Sequence, residues 1–454
     1  MKNKLYIFLS ILIIGVGLFL RLYKMENRAP FDWDQNRDYQ VISAVASGKY
    51  TLIGPVAKGE GGFFLGPLYY YLVMPTYLLM DGSPLALPIT SIVLDVLAIT
   101  AILLLLRSTL GGKSALVVGA IWSFSWFTIE ISRISWNVAL VPLWSVLVLW
   151  LLTHKQALSI WKVGLLGIIF GFSWHVHAAL IPITLAVILF SWKIWAIDLK
   201  RIFLLILGYG IPLIPLILFD LRHSGLNWHL LTQMFVAGSH ATIIYSELLS
   251  SVMMRLGKNT QALLLGISDY NLLLGYFVAV LASYFAIFSK GISRLSGVLI
   301  LLNIFAVIAL KEIRFPEYYF ALCYLPTLIL LATAVSTITR SSAPIIIILM
   351  ALLIFQNTQK YSYQETSFAL SQKVKVAQLM ASLNSPVDLR VVMDPGREGG
   401  IKAFFKLFGG QLDTNSHLKV VVTDQSDGPI IEGGELTTVI GNFGGIRVAK
   451  IVVQ

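Results

Sequence analysis

Residues 66–80 read GPLYYYLVMPTYLLM, and whether this stretch crosses a membrane decides the fold. It is apolar, yet it runs for only 15 residues, contains Pro67 and Pro75, carries three consecutive tyrosines at 69–71 and stops at Asp81. A spanning helix needs about 20 apolar residues. Eleven other apolar segments surround it, at residues 5–20, 85–106, 114–129, 136–152, 161–174, 178–192, 202–219, 263–288, 295–310, 320–336 and 344–355. If 66–80 stays on one side, Arg107, Lys113, Lys155, Lys162, Lys193, Lys200, Arg201, Lys290, Arg294 and Arg340 all fall in loops on the cytoplasmic side. If it crosses, all of them move outside, against the preference of Lys and Arg for cytoplasmic loops. We therefore read 66–80 as an interfacial or re-entrant helix, a setting that suits its tyrosines.

The composition agrees with a chain solvated by lipid. Of 454 residues, 57% are hydrophobic and 13% charged, against about 25% charged in soluble domains. The 34 basic and 23 acidic residues give a net charge of +11. Much of that excess sits in short loops, and no basic helix interleaved with aromatics accompanies it, so nucleic acid is not an expected partner. The single cysteine, Cys323, excludes an intrachain disulfide framework and a cysteine metal cluster. Lys2 and Lys4 precede the first apolar run, which ends in Arg21-Leu22-Tyr23-Lys24 without a small-residue cleavage site, so it reads as an uncleaved first span.

This topology leaves three large features outside: residues 24–83, residues 220–261 and the tail after 356. The expected fold is an all-α polytopic membrane protein of about 11 transmembrane helices, with juxtamembrane helices in the first outer loop, over residues 1–356. A small soluble α/β domain on the outer face follows over residues 357–454. The tail should hold a helix at 367–383, a strand at 389–394, a short helix at 401–408, a strand at 418–423 and a hairpin over 437–453. No Walker or GxGxxG pattern follows a strand, which argues against nucleotide chemistry.

The chemistry-bearing stretch is residues 31–39, FDWDQNRDY, with three carboxylates and an arginine in nine positions just beyond the first span. Asp32 or Asp34 could simply cap a helix over 37–47, since Asp accepts from free N–H groups at helix starts. Asp95 lies within the second span with no partner visible in the sequence, and marks a buried polar contact or a proton-linked function. The tryptophans at span ends (Trp122, Trp126, Trp136, Trp144, Trp192, Trp195) read as an aromatic belt and core packing.

The first span, the acidic loop Asp34-Gln35-x-Arg37-x-Tyr39, the Gly48-Lys49-Tyr50 step and the Gly66-Pro67-Leu68-Tyr69-Tyr70 helix together resemble the GT-C glycosyltransferases. Within them, the chain looks most like the dolichyl-phosphate-mannose protein mannosyltransferases and the lipid A aminoarabinose transferases. The likeness is best over residues 1–150, with echoes at 133–142 (RISWNVALVP) and 314–326 (RFPEYYFALCYLP). Two departures stand out: Asp-Gln replaces the family's Asp-Glu pair, and Leu65-Gly66-Pro67 replaces a Lys/His-Pro-Pro start.

The resemblance implies transfer of a hexosyl or pentosyl group, with inversion, from a polyprenyl-phosphate donor to an acceptor protein, lipid or glycan. The active site would lie on the extracytoplasmic face of the plasma membrane. Asp34 stands at the position of the base, and a carboxylate within reach of the acceptor proton suits that role. The leaving phosphate asks for cationic donors. Arg37, Lys58 and Arg314, with Tyr69, Tyr318 and Tyr319, are the candidates for lipid phosphate or substrate. Arg314 is favoured because it stands between two spans beside Glu317-Tyr318-Tyr319. Glu130, Arg133, Asn137, His175 and His177 form a candidate acceptor or second acidic site. No cofactor is required; a divalent metal is disfavoured, because one monodentate acid with amides is a poor hard-cation site. His175 and His177, two apart, do not share a helix face. The rival expectation is a lipid-linked-sugar flippase or secondary transporter that breaks no bond, although no internal repeat supports it.

Overall fold

The computed structural model describes residues 3–57, 62–153, 159–195, 198–237, 244–310, 315–338, 343–361, 366–424 and 436–452. Each of the eleven apolar segments holds a helix. Among the described residues, five helices are long and apolar enough to cross a membrane, including α1 (Asn3–Leu22) and α4 (Ala86–Leu105). A sixth is counted if Gly112–Phe124 and Trp126–Arg133, bent by 60° at Ser125, form one broken span. Eleven spans exceed what length and composition establish. The segment expected at 263–288 is divided: one helix ends at Leu265 and the next runs over Leu272–Phe288, with Gly266 in the left-handed conformation between them.

Helix contacts are close where side chains are small. A Cβ on Gly167 would stand 2.4 Å from the Leu205 carbonyl oxygen, and one on Gly208 would stand 2.4 Å from that of Gly164. Helices Ile160–Gly171 and Leu199–Arg222 therefore touch backbone to backbone, the packing that small residues permit in lipid. Cys323 is buried in Ala321–Ile338, its thiol directed at Asn303 Oδ1 at 3.1 Å.

Asp95 has a partner that the sequence did not reveal. Arg21 Nε donates to Asp95 Oδ2 at 2.6 Å, and the rest of the guanidinium donates to the carbonyls of Gly17, Ser123 and Trp122. Trp122 Nε1 donates to Asp95 Oδ1 at 2.9 Å. The pair is almost wholly buried, and its bonds explain how two charges are tolerated inside the bundle.

Residues 66–80 form α3 (Leu68–Leu79), twelve residues or about 18 Å long, well short of a hydrocarbon core of about 30 Å. Tyr69, Tyr70, Val73 and Tyr77 face inward, whereas Leu78 and Leu79 are exposed. The first loop also carries α2, which runs over Trp33–Ala46 and starts four residues before the expected 37. The reason is a cap already written in the sequence: the Gln35 side chain reaches back to accept the Asp32 N–H at 3.0 Å.

The tail contains helix Leu370–Ala381, β1 (Asp388–Val392), helix Ile401–Leu407, β2 (Lys419–Thr423), β3 (Leu436–Phe443) and β4 (Ile446–Val452). The sheet order is β1-β2-β4-β3, with β1 and β2 parallel and the other pairs antiparallel. Each expected tail element is present, within about three residues at either end. Its core is shared with the first loop: Phe31 packs on Phe404 at 4.7 Å between ring centres, and Tyr39 meets Phe404 and Tyr77 edge-on at 5.8 Å.

Candidate active site

A cavity of about 470 Å³ lies where the first loop, the segment after Trp126–Arg133 and the segment around residue 317 converge. Asp34 and Arg37 of α2 form one side. Pro55, Val56, Ala57 and Leu65 form another, and Trp136, Asn137, His177, Pro316, Tyr318 and Tyr319 close it.

Asp34 and Arg37 share a helix face because they are three residues apart. Arg37 Nη1 donates to Asp34 Oδ1 at 2.7 Å, while Nε and Nη2 both reach Asp38 Oδ1, at 2.9 and 2.8 Å. The Asp34 carboxylate is 56% exposed, so it meets whatever enters; that of Asp38 is fully buried. Tyr70 donates to the same Asp38 oxygen at 3.1 Å, whereas Oδ2 has no hydrogen-bond partner among the described residues. Burial pushes the Asp38 carboxyl up to about 6 despite the opposing Arg37 charge. For Arg37, burial works against the charged form, but Asp38, Tyr70 and Asp34 outweigh it and hold the guanidinium ionised. One cation between two carboxylates fixes the Asp34 side chain and leaves the cluster electronegative.

The opposite wall is aromatic. Tyr318 meets Trp136 at 4.8 Å and His177 at 5.6 Å, and Tyr319 meets His177 at 5.1 Å. His177 sits between helices Ser173–Val176 and Leu180–Trp195, and burial pulls its pKa down to about 4, so the imidazole is neutral at pH 7. Asn137 Nδ2 donates to the Val176 carbonyl at 2.6 Å, which ties the two sides of this wall together. A second, apolar cavity of about 170 Å³ adjoins it, sharing Trp136, Val138 and Tyr318 and reaching inward to Ser91 and Asp95. A polar chamber joined to an apolar one suits a molecule with a hydrophilic head and a hydrophobic chain.

Six of the sequence candidates therefore come together: Asp34, Arg37, Asn137, His177, Tyr318 and Tyr319. The others are placed elsewhere. Glu130 accepts from Arg28 at 3.1 Å and from Arg133 at 2.6 Å. Arg133 donates to the carbonyls of Leu20, Arg21 and Tyr23, closing the end of α1. His175 lies under α3, where Nδ1 accepts the Leu68 N–H at 3.2 Å and Nε2 donates to the Pro212 carbonyl at 2.7 Å. Tyr69 is wholly buried with its hydroxyl 3.3 Å from Ser91 Oγ. Lys58 and Arg314 lie outside the described residues.

Sequence reasoning missed Trp136, read as belt packing, and Asp38, read only as part of a charged run. The spacing Asp34-x-x-Arg37-Asp38 carried the signal for the second once α2 begins at Trp33.

Gln35 accounts for one departure from the glycosyltransferase pattern. Its amide donates to the Ser135 carbonyl at 3.0 Å while its oxygen accepts from Asp32, so it ties α2 to the loop that carries Trp136 and Asn137. A carboxylate at this place could not donate.

No family model matches the chain, and no curated protein matches it in sequence. Among solved structures it is similar to ArnT from Cupriavidus metallidurans bound to undecaprenyl phosphate, with a TM-score of 0.56, 11% identity and 97% of both chains covered. The apo state of the same protein aligns over 97% of both chains at 12% identity and a TM-score of 0.47. At this identity the likeness is one of fold, and this membrane chain carries an ArnT-like fold.

Proposed function

We propose that the protein is a membrane glycosyltransferase that moves a hexosyl or pentosyl group from a polyprenyl-phosphate donor to an acceptor protein, lipid or glycan on the extracytoplasmic face. The observation that carries this reading is the half-exposed Asp34 carboxylate facing an aromatic wall across a 470 Å³ cavity. The fold likeness to ArnT, which was crystallised with undecaprenyl phosphate, supports a donor of that class.

In this mechanism an acceptor hydroxyl or amine attacks the anomeric carbon and passes its proton to Asp34. The bond from that carbon to the phosphate oxygen breaks on the opposite side, configuration inverts, and polyprenyl phosphate leaves. Arg37 orients the carboxylate, and the rings of Trp136, Tyr318 and Tyr319 offer apolar faces to the sugar. Arg37 is already shared between two acids, so the phosphate needs other cations. Lys58 and Arg314, which lie outside the described residues, are the proposed pair on the strength of the sequence resemblance alone. Glu130 is matched by two arginines, so it is poorly placed to hold a divalent ion, and we assign no metal.

The test is discharge of a panel of labelled polyprenyl-phosphate sugars by the purified protein in lipid, beside Asp34→Asn, with cell extract as acceptor source. Transfer by the wild type that is lost in the variant is expected. Passage of the lipid-linked sugar across the bilayer with its sugar–phosphate bond intact would replace this reading with transport.

A further inference from the structure

The residues leading into Asp34 are held from two sides by the C-terminal unit. On one flank, Thr366 N–H donates to the Asn27 carbonyl at 3.0 Å and Leu370 N–H to that of Ala29 at 2.9 Å. Lys373, one turn further along the same helix, is fully buried; its ammonium donates to the Phe31 carbonyl and lies 3.5 Å from Asp32 Oδ1. On the other flank, Trp33 Nε1 donates to Glu398 Oε1 at 2.9 Å, and the Gly400 N–H donates to Asn36 Oδ1 at 3.1 Å. A Cβ on Gly399 would stand 2.8 Å from the Asp32 carbonyl oxygen. Contacts thus reach Phe31, Asp32, Trp33 and Asn36, the residues that frame Asp34, while Asp34 itself pairs with Arg37.

A buried ammonium is an expensive way to fill a core, since its desolvation costs several kcal/mol. An apolar side chain of the same length would fill the volume. Burial does press against the charged form of Lys373, with Asp32 opposing it. The bonds it makes run to the cap of α2 and not to the sheet. We propose that the C-terminal unit positions the catalytic loop, and that Lys373 is the positioning residue that sets the first turn of α2 and so the direction of the Asp34 carboxylate. This rests on the transferase reading for its kinetic consequence, but not for its structural one.

The experiment compares full-length wild type, Lys373→Met and Lys373→Arg in lipid by two readouts: donor turnover per folded molecule and deuterium exchange over residues 27–40. Small misplacements remote from the chemistry cost up to about a hundredfold in rate. Lys373→Met is expected to lose about ten- to a hundredfold in kcat with donor KM within about twofold, and to exchange faster over 27–40 but not within the sheet. Lys373→Arg should recover most of both. Unchanged exchange over 27–40 with unchanged kcat per folded molecule would overturn the proposal and leave the tail a structural cap. If the wild type discharges no donor, the transferase reading fails while exchange alone still decides whether Lys373 holds the loop. Should Lys373→Met not fold, Glu398→Ala removes the bond on the other flank and is judged by the same two readouts.

Discussion

The imidazole of His175 occupies the space in which a side chain at position 66 would stand: a Cβ added to Gly66 would lie 2.2 Å from His175 Nδ1 and Cε1. Gly66→Ala should therefore force the ring away from Leu68 N–H and Pro212 and cost about 1–3 kcal/mol of overpacking strain. Thermal unfolding in detergent measures it, and the double variant Gly66→Ala/His175→Ala should be less destabilised than the sum of its parts.

Asp34→Asn should lower transfer by about 10²–10⁴ while leaving unfolding temperature nearly unchanged, since the side chain is half exposed and makes one ion pair. Activity that survived the change would remove Asp34 as the base.

Gln35→Glu should weaken this protein. It exchanges the N–H donor on the Ser135 carbonyl for a buried carboxylate oxygen, a loss of about 1–3 kcal/mol. A stability equal to wild type would show that the bond to Ser135 contributes little.

His177 contributes an acid-sensitive term. Its pKa is depressed by burial from 6.5 to about 4, so the folded state favours the neutral ring and gains stability that is complete above about pH 6.5. As pH falls from 6.5 to 4 this gain, on the order of 3 kcal/mol, is lost because the unfolded chain takes up the proton first. His177→Phe should show a shallower fall in unfolding temperature over that window.

Asp95→Ala strips the buried Arg21 of its counter-ion and should cost about 3–5 kcal/mol, or abolish folding in the membrane. The paired replacement Arg21→Met/Asp95→Leu should recover much of that loss, measured as folded yield and unfolding temperature.

Periodicity and composition made the helical membrane class, the short tyrosine helix and the tail's alternation of helix and strand legible in sequence, because each depends on local patterning. The early start of α2 is written in the Asp32-x-x-Gln35 spacing, which the denser charges at 34, 37 and 38 obscure. What could not be read were pairings made by folding alone. Arg21 meets Asp95 across 74 positions, Arg28 meets Glu130 across 102, and Lys373 meets Asp32 across 341. Those distant bonds also decided which candidates entered the cavity: Glu130, Arg133 and His175 are engaged elsewhere in the fold, while Asp34, His177 and Tyr318 line it.

The burial of Cys323 has a practical consequence. The native chain offers a water-borne maleimide no accessible thiol, so single cysteines can be introduced without first removing one. Lys113→Cys and Asn415→Cys are both at exposed positions, one in the first turn of helix Gly112–Phe124 and the other in the tail. Labelling of intact cells should then mark Asn415→Cys at once and Lys113→Cys only after the membrane is opened, which orients the whole bundle.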